Sequence, residues 1–122
     1  MKNLILVLLL VITNSCKSQN DKTIEVIDIE TVKTEVIGKE VQLVDVRTPD
    51  EYEAGHIDDA INIDIMNMET FTEKLDEFDK EKPIYIYCKL GGRSNKASKV
   101  LEELGFVTIY DFSGGYDEWK SQ

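Results

Sequence analysis

The chain of 122 residues predicts an α/β domain, a small parallel sheet with helices on both faces. Three observations carry this. Short apolar runs alternate with helical patterns along residues 24–122. The run Val41 to Val46 is continuously hydrophobic at Leu43, Val44 and Val46, which suits a strand buried on both faces. A glycine-rich stretch, Cys88-Lys89-Leu90-Gly91-Gly92-Arg93-Ser94, joins an apolar run to a helical pattern, and in such folds ligands bind beyond the carboxyl ends of strands.

The elements follow in order. Ile24 to Ile27 is a short strand, and Asp28 is placed to cap a helix through Ile29, Val32 and Val36 that Gly38 ends. Val41 to Val46 is the second strand, stopped by Thr48-Pro49. Asp50 to Ala54 makes one or two helical turns before Gly55 breaks them, and Ile57 leads to a strand at Ala60 to Ile63. Met68, Phe71, Leu75 and Phe78 recur at intervals of three and four, the pattern of a core-facing helix stripe. Pro83 to Tyr87 is the next strand. A helix starting near Ser94 then puts Ala97, Val100, Leu101 and Leu104 on one face, with Gly105 as its left-handed stop. Val107 to Tyr110 is the last strand, Ser113-Gly114-Gly115 a turn, and Tyr116 to Trp119 a terminal turn of helix.

The stretch from Cys88 to Ser94 carries the chemistry. A thiol at a strand end faces two glycines, two cations and the N–H groups of a helix start. Glycines let backbone amides turn inward as a concave nest, and the helix N-terminus adds donors and partial positive charge, so the loop can hold an anion. The same field stabilises a thiolate, the nucleophilic form of cysteine. A buried strand-end cysteine can instead be an inert small hydrophobe. Such a residue has no need of Gly91, Gly92, Lys89 and Arg93 within the next five positions. Cys88 is therefore the candidate nucleophile, with Lys89, Leu90, Gly91, Gly92, Arg93 and Ser94 as the candidate binding loop. Arg93 can bind substrate or pair with a carboxylate that shapes the loop; the substrate role is preferred. Ser94 serves equally as a helix cap or a ligand. Asp45 and Arg47, at another strand end, are supporting residues that fix the surrounding loops by ion pairing. His56 is read as structural, because a thiolate needs no separate base.

At the N-terminus, Met1-Lys2-Asn3, the nine apolar residues Leu4 to Ile12 and Thr13-Asn14-Ser15 form a basic, an apolar and a small-residue region, the arrangement of a signal peptide over 1–15. Nine apolar residues are too few to span a bilayer, which takes about 20. Cys16 follows at once, and the arrangement resembles a bacterial lipoprotein signal, although Thr13 stands where such signals usually have leucine. Lipidation of Cys16 would anchor the protein in the cell envelope; ordinary cleavage after Ser15 would leave it soluble, periplasmic or secreted. Residues 16–23 are then a lipidated cysteine and a polar tether, whose seven residues from Lys17 to Thr23 reach about 15 Å, and 24–122 the domain. A Cys16–Cys88 disulfide would pin that tail into the site and is not the reading taken.

Removing Met1 to Ser15 takes away one lysine and no acidic residue, leaving 13 basic against 24 acidic residues, a formal charge of -11. That balance argues against nucleic acid and against electrostatic attachment to an anionic membrane, both of which need basic patches.

Three segments give the chain a family resemblance. Val44-Asp45-Val46-Arg47 with Thr48 to Tyr52 and Gly55-His56-Ile57, the loop from Cys88 to Ser94, and Gly114-Gly115 with Trp119 together resemble a rhodanese domain over roughly Ile24 to Lys120. The resemblance implies a sulfurtransferase: Cys88 takes a sulfane sulfur from a donor such as thiosulfate, becomes a persulfide, and passes the sulfur to cyanide or a thiol. It implies no metal and no organic cofactor. The partners are a small anionic donor, a thiophilic acceptor, a membrane through the lipid anchor, and a protein that receives persulfide.

Two rivals stand beside this. A phosphatase or arsenate reductase of the same fold places five residues between cysteine and arginine, enough to encircle a tetrahedral oxyanion. Here four lie between Cys88 and Arg93. A sulfur carrier or binding module without free turnover would keep the same loop, and loop length does not separate it from an enzyme.

Overall fold

The structure, a computed structural model, describes residues 22–122; the signal-like segment Met1 to Ser15, Cys16 and the tether up to residue 21 lie outside the described residues. Five strands form one parallel sheet: β1 (Ile24–Ile27), β2 (Gln42–Asp45), β3 (Ile61–Asn62), β4 (Ile84–Tyr87) and β5 (Ile109–Phe112). They run in the order β1-β5-β4-β2-β3, so β4 lies at the centre. Every residue of β4 is buried, which is why Ile84-Tyr85-Ile86-Tyr87 reads as an unbroken apolar run. The α/β class and the parallel sheet covered on both faces are as the sequence predicts.

Five helices connect the strands: α1 (Ile29–Glu35), α2 (Pro49–Ala54), α3 (Met68–Leu75), α4 (Gly92–Glu103) and α5 (Gly115–Lys120). Phe71 and Leu75 of α3 and Ala97 and Leu101 of α4 pack on Val44, Ile84, Ile86 and Ile109 to form one core layer. Val32 and Val36 follow the opposite face with Leu43, Tyr85, Tyr87 and Phe112, and Tyr52, Tyr116 and Trp119 close that layer. Among the described residues no helix is long and apolar enough to cross a membrane.

Local chemistry explains the element boundaries. Asp28 caps α1 by accepting the Thr31 N–H at 2.9 Å. Thr48 and Glu51 form a reciprocal capping box at the start of α2, with Pro49 in the first turn. Helix α3 ends at Leu75, so Phe78 reaches the core from just beyond it. The last strand lies two residues later than its apolar run suggests. Val107 is 46% exposed, and the pairing runs instead from Ile109 to Phe112, in register with both β1 and β4. This shift draws the charged Asp111 into the sheet, where it is 1% exposed.

Candidate active site

Cys88 follows β4 directly, at the carboxyl end of the central strand, and is 1% exposed. Helix α4 starts at Gly92, two residues before the sequence expectation, and Gly91 caps it in a left-handed conformation (φ +100°). That conformation turns the Gly91 N–H back on the thiol, which it meets at 3.0 Å from Sγ. A side chain at Gly91 would also meet the Ser113 carbonyl oxygen at 2.6 Å, so glycine is needed for space as well as for φ.

The loop is clamped from behind. Tyr116 N–H donates to the Cys88 carbonyl at 2.8 Å and Asp117 N–H to the Lys89 carbonyl at 3.2 Å. With these carbonyls drawn toward α5, the loop is held by backbone bonds from a second helix. The approach is close enough that a Cβ on Gly115, itself at φ +68°, would collide with the Lys89 and Cys88 carbonyl oxygens. Gly115 is thus the point where α5 docks on the loop, whereas a side chain at Gly114 would meet Glu118 and Phe112.

The two loop cations are both engaged. Arg93 donates to both carboxylate oxygens of Glu51, from Nη1 at 2.6 Å and Nη2 at 2.9 Å. The Arg93 hydrogen bond, opposed by burial and helped by Thr48, holds the Glu51 carboxyl at about 2. Lys89 Nζ lies 3.6 Å from Asp117. Leu90, at the loop tip, is 71% exposed. A side chain at Gly92 would meet nothing within 4 Å.

Ser94 does not cap α4; it lies in the first turn, fully buried. Its hydroxyl donates to the Gly91 carbonyl at 3.2 Å and lies 3.6 Å from Cys88 Sγ. Ser94 thus touches both the thiol and the residue whose amide bonds it.

Asp45 and Arg47 form a buried fork. Arg47 Nε and Nη2 donate to the Asp45 carboxylate at 2.9 and 2.6 Å, and Nη2 donates also to the Gly55 carbonyl at 2.7 Å. The guanidinium lies 4.4 Å over the Tyr116 ring. Since the Tyr116 amide anchors Cys88, this pair reaches the active loop through α5. Tyr87, next to Cys88, accepts the Ile57 N–H on its hydroxyl, and burial pushes its phenol up. His56 stacks on Tyr52 with ring centroids 3.9 Å apart and bonds the Tyr52 carbonyl.

Over residues 28–122 the chain matches the rhodanese-like domain. It belongs to the rhodanese family. Thiosulfate sulfurtransferase GlpE of Coxiella burnetii is 35% identical to this rhodanese domain over 83 residues, 68% of this chain and 75% of the relative. Protein YqhL of Bacillus subtilis is 37% identical over 81 residues, 66% of this chain, and the match spans 62% of YqhL. Among solved structures, a rhodanese-like domain protein from Staphylococcus aureus superposes with a TM-score of 0.67 at 34% identity, covering 78% of this chain and 90% of that one.

Several residues at this rhodanese site escape the sequence reading. Glu51, Tyr116, Asp117 and Asp111 surround the loop from α2, α5 and β5. Only Glu51 leaves a local signal, the Thr48-x-x-Glu51 capping pattern, and that signal speaks of a helix start rather than of Arg93.

Proposed function

We propose that this protein is a sulfurtransferase that works through a persulfide on Cys88. The observation that carries the reading is the Gly91 N–H directed at Sγ at 3.0 Å inside a loop with four residues between Cys88 and Arg93. In the first half-reaction the Cys88 thiolate attacks the outer sulfur of thiosulfate. A new S–S bond forms as the old one breaks, and sulfite leaves with its electron pair. In the second, a thiol or cyanide anion attacks the terminal sulfur, takes it away, and returns the Cys88 thiolate. The negative charge moves from one sulfur to the next by about a bond length, and preorganised amides suit such a charge without reorganising.

The loop of Lys89, Leu90, Gly91, Gly92, Arg93 and Ser94 cradles the donor and the persulfide chiefly through its backbone, with Lys89 and Arg93 held at its rim by Asp117 and Glu51; Asp45 and Arg47 hold the frame. Donor oxygens meet the open surface beside Gly92, where no side chain intrudes. The thiosulfate sulfurtransferase named among the relatives supports this donor class. We further propose that the protein is exported and held at a bacterial membrane through lipidated Cys16.

Intact mass after incubation with thiosulfate tests the chemistry. One added sulfur is expected, removed by a thiol reductant and absent in Cys88→Ser. Hydrolysis of a phosphate ester with no such adduct would favour the phosphatase instead. An adduct that forms but never turns over with cyanide or small thiols would favour a carrier. For the anchor, fatty-acid labelling should disappear in Cys16→Ala.

A further inference from the structure

The site contains a buried acid that the sulfur-transfer chemistry does not use. Asp111 is 1% exposed, and its Oδ1 has no hydrogen-bond partner among the described residues. It lies in β5 opposite Ile86 of β4, with Val26 of β1 on its other side. Side chains two apart on a strand share a face, so Asp111 and Cys88 project to the same side of the sheet. One strand spacing and two residues of rise put their Cα atoms about 8 Å apart. That side is the one covered by α4, whose first turn supplies the buried Ser94.

Ser94 stands beside the thiol on this side, its hydroxyl 3.6 Å from Cys88 Sγ. Burial pushes the Asp111 carboxyl up. Val26 and Ile86 flank Asp111 in the sheet without charge, and α4 covers that face. Beyond Cys88 stands Arg93, whose guanidinium is already held by Glu51. No described ion pair includes Asp111.

We propose that Asp111 acts on Cys88 across this buried face of the sheet, so that the two buried acids ionise as one coupled pair. Two negative charges this close in a buried site oppose each other. When Asp111 holds its proton, the sulfur is free to carry the anion; when Asp111 is ionised, thiolate formation is held back to higher pH. The loop amides supply the field that favours sulfur charge, and Asp111 sets the pH range in which that charge is available. This deepens the reading of Cys88 as the reacting thiol, and it needs no sulfur donor to be tested.

The test is the rate of iodoacetamide alkylation against pH on the full chain, read by mass spectrometry at the Cys88 peptide so that Cys16 does not contribute. In Asp111→Asn the half-maximal rate should fall to lower pH by about one unit, a roughly tenfold faster reaction on the rising limb, while the limiting rate at high pH stays the same. Asp111→Ser, a second uncharged replacement, should shift the profile in the same direction and covers the case in which the asparagine variant does not fold. A merely structural role would change the limiting rate or the stability without moving the midpoint. Superimposable profiles, or a shift to higher pH in the folded variant, would overturn the proposal. Loss of sulfur uptake with a shifted alkylation profile would instead count against the sulfur-transfer reading alone.

Discussion

Replacing Glu51 by glutamine removes the carboxylate that holds Arg93 and leaves the Thr48 cap with an uncharged partner. The folded carboxyl sits at about 2 against an ordinary 4.5, chiefly through the Arg93 hydrogen bond. At 1.36 kcal/mol per pH unit that displacement would correspond to about 3 kcal/mol. Both side chains are 28% exposed, so solvent screening reduces the figure to about 1–2 kcal/mol. The sign follows from the depressed value: the stabilisation is complete above pH 4.5, where the unfolded carboxyl is ionised, and is lost as pH falls toward 2. Urea unfolding of wild type and Glu51→Gln at pH 7 and pH 3 reads it directly. The difference should be about 1–2 kcal/mol at pH 7 and less than half of that at pH 3. Other carboxylates titrate in both proteins and cancel in the difference. An equal difference at the two pH values would refute the ion pair as its source, and no difference at pH 7 would refute the pair as a stabilising contact.

Three further outcomes are expected. Asp45→Asn strips the charge from a fully buried partner of Arg47, and breaking such a pair costs about 3–5 kcal/mol; a drop in urea midpoint measures it, and a change under about 1 kcal/mol would mean that solvent reaches the guanidinium. Gly115→Ala forces a left-handed φ of +68° on alanine and a Cβ against the Cys88 and Lys89 carbonyls, so stability should fall by about 2 kcal/mol or more, with reduced sulfur loading of Cys88. The chain carries a formal charge of -10, so the initial rate with thiosulfate should rise as salt is added from low ionic strength, and a falling rate would contradict repulsion of the dianion.

Much of this fold is legible because its signals are local. Asp28 is a cap placed just before an apolar-periodic segment, Gly105 is a glycine at a helix end with φ +99°, and the Cys88 loop keeps its glycines in sequence with its thiol. The last strand is less legible. Apolarity points to Val107 to Tyr110, yet register with β1 and β4 fixes Ile109 to Phe112 and buries a carboxylate that composition would place outside. The partners of the loop are illegible for a different reason. Any of 24 acidic residues could face Arg93, and only the fold, which brings the first turn of α2 to the first turn of α4, selects Glu51 from 42 positions away. Likewise Gly114-Gly115 marks a turn in the sequence, whereas the close approach of Gly115 to the Cys88 and Lys89 carbonyls exists only once α5 docks.

The charge balance around Cys88 bears on how an acidic protein can receive an anion at all. Lys89 and Arg93 suggest a cationic loop, but each is tied to a carboxylate, Lys89 to Asp117, which Lys120 shares, and Arg93 to Glu51. What remains directed at the sulfur is backbone: the Gly91 N–H at 3.0 Å and the N-terminal end of α4, whose 12 residues align their peptide dipoles with it. Fixed dipoles act over short range and cost no reorganisation as charge moves along the sulfur chain, whereas an uncompensated cation would hold a dianion or its sulfite product tightly. The ion pairs then serve geometry. Glu51 fixes where Arg93 stands at the rim, Asp117 ties Lys89 to the helix that clamps the loop, and Asp45 with Arg47 holds Tyr116, whose amide anchors Cys88. Substitutions in these pairs should therefore act on loop position and stability first, while changes at Gly91 or Ser94 act on the sulfur itself.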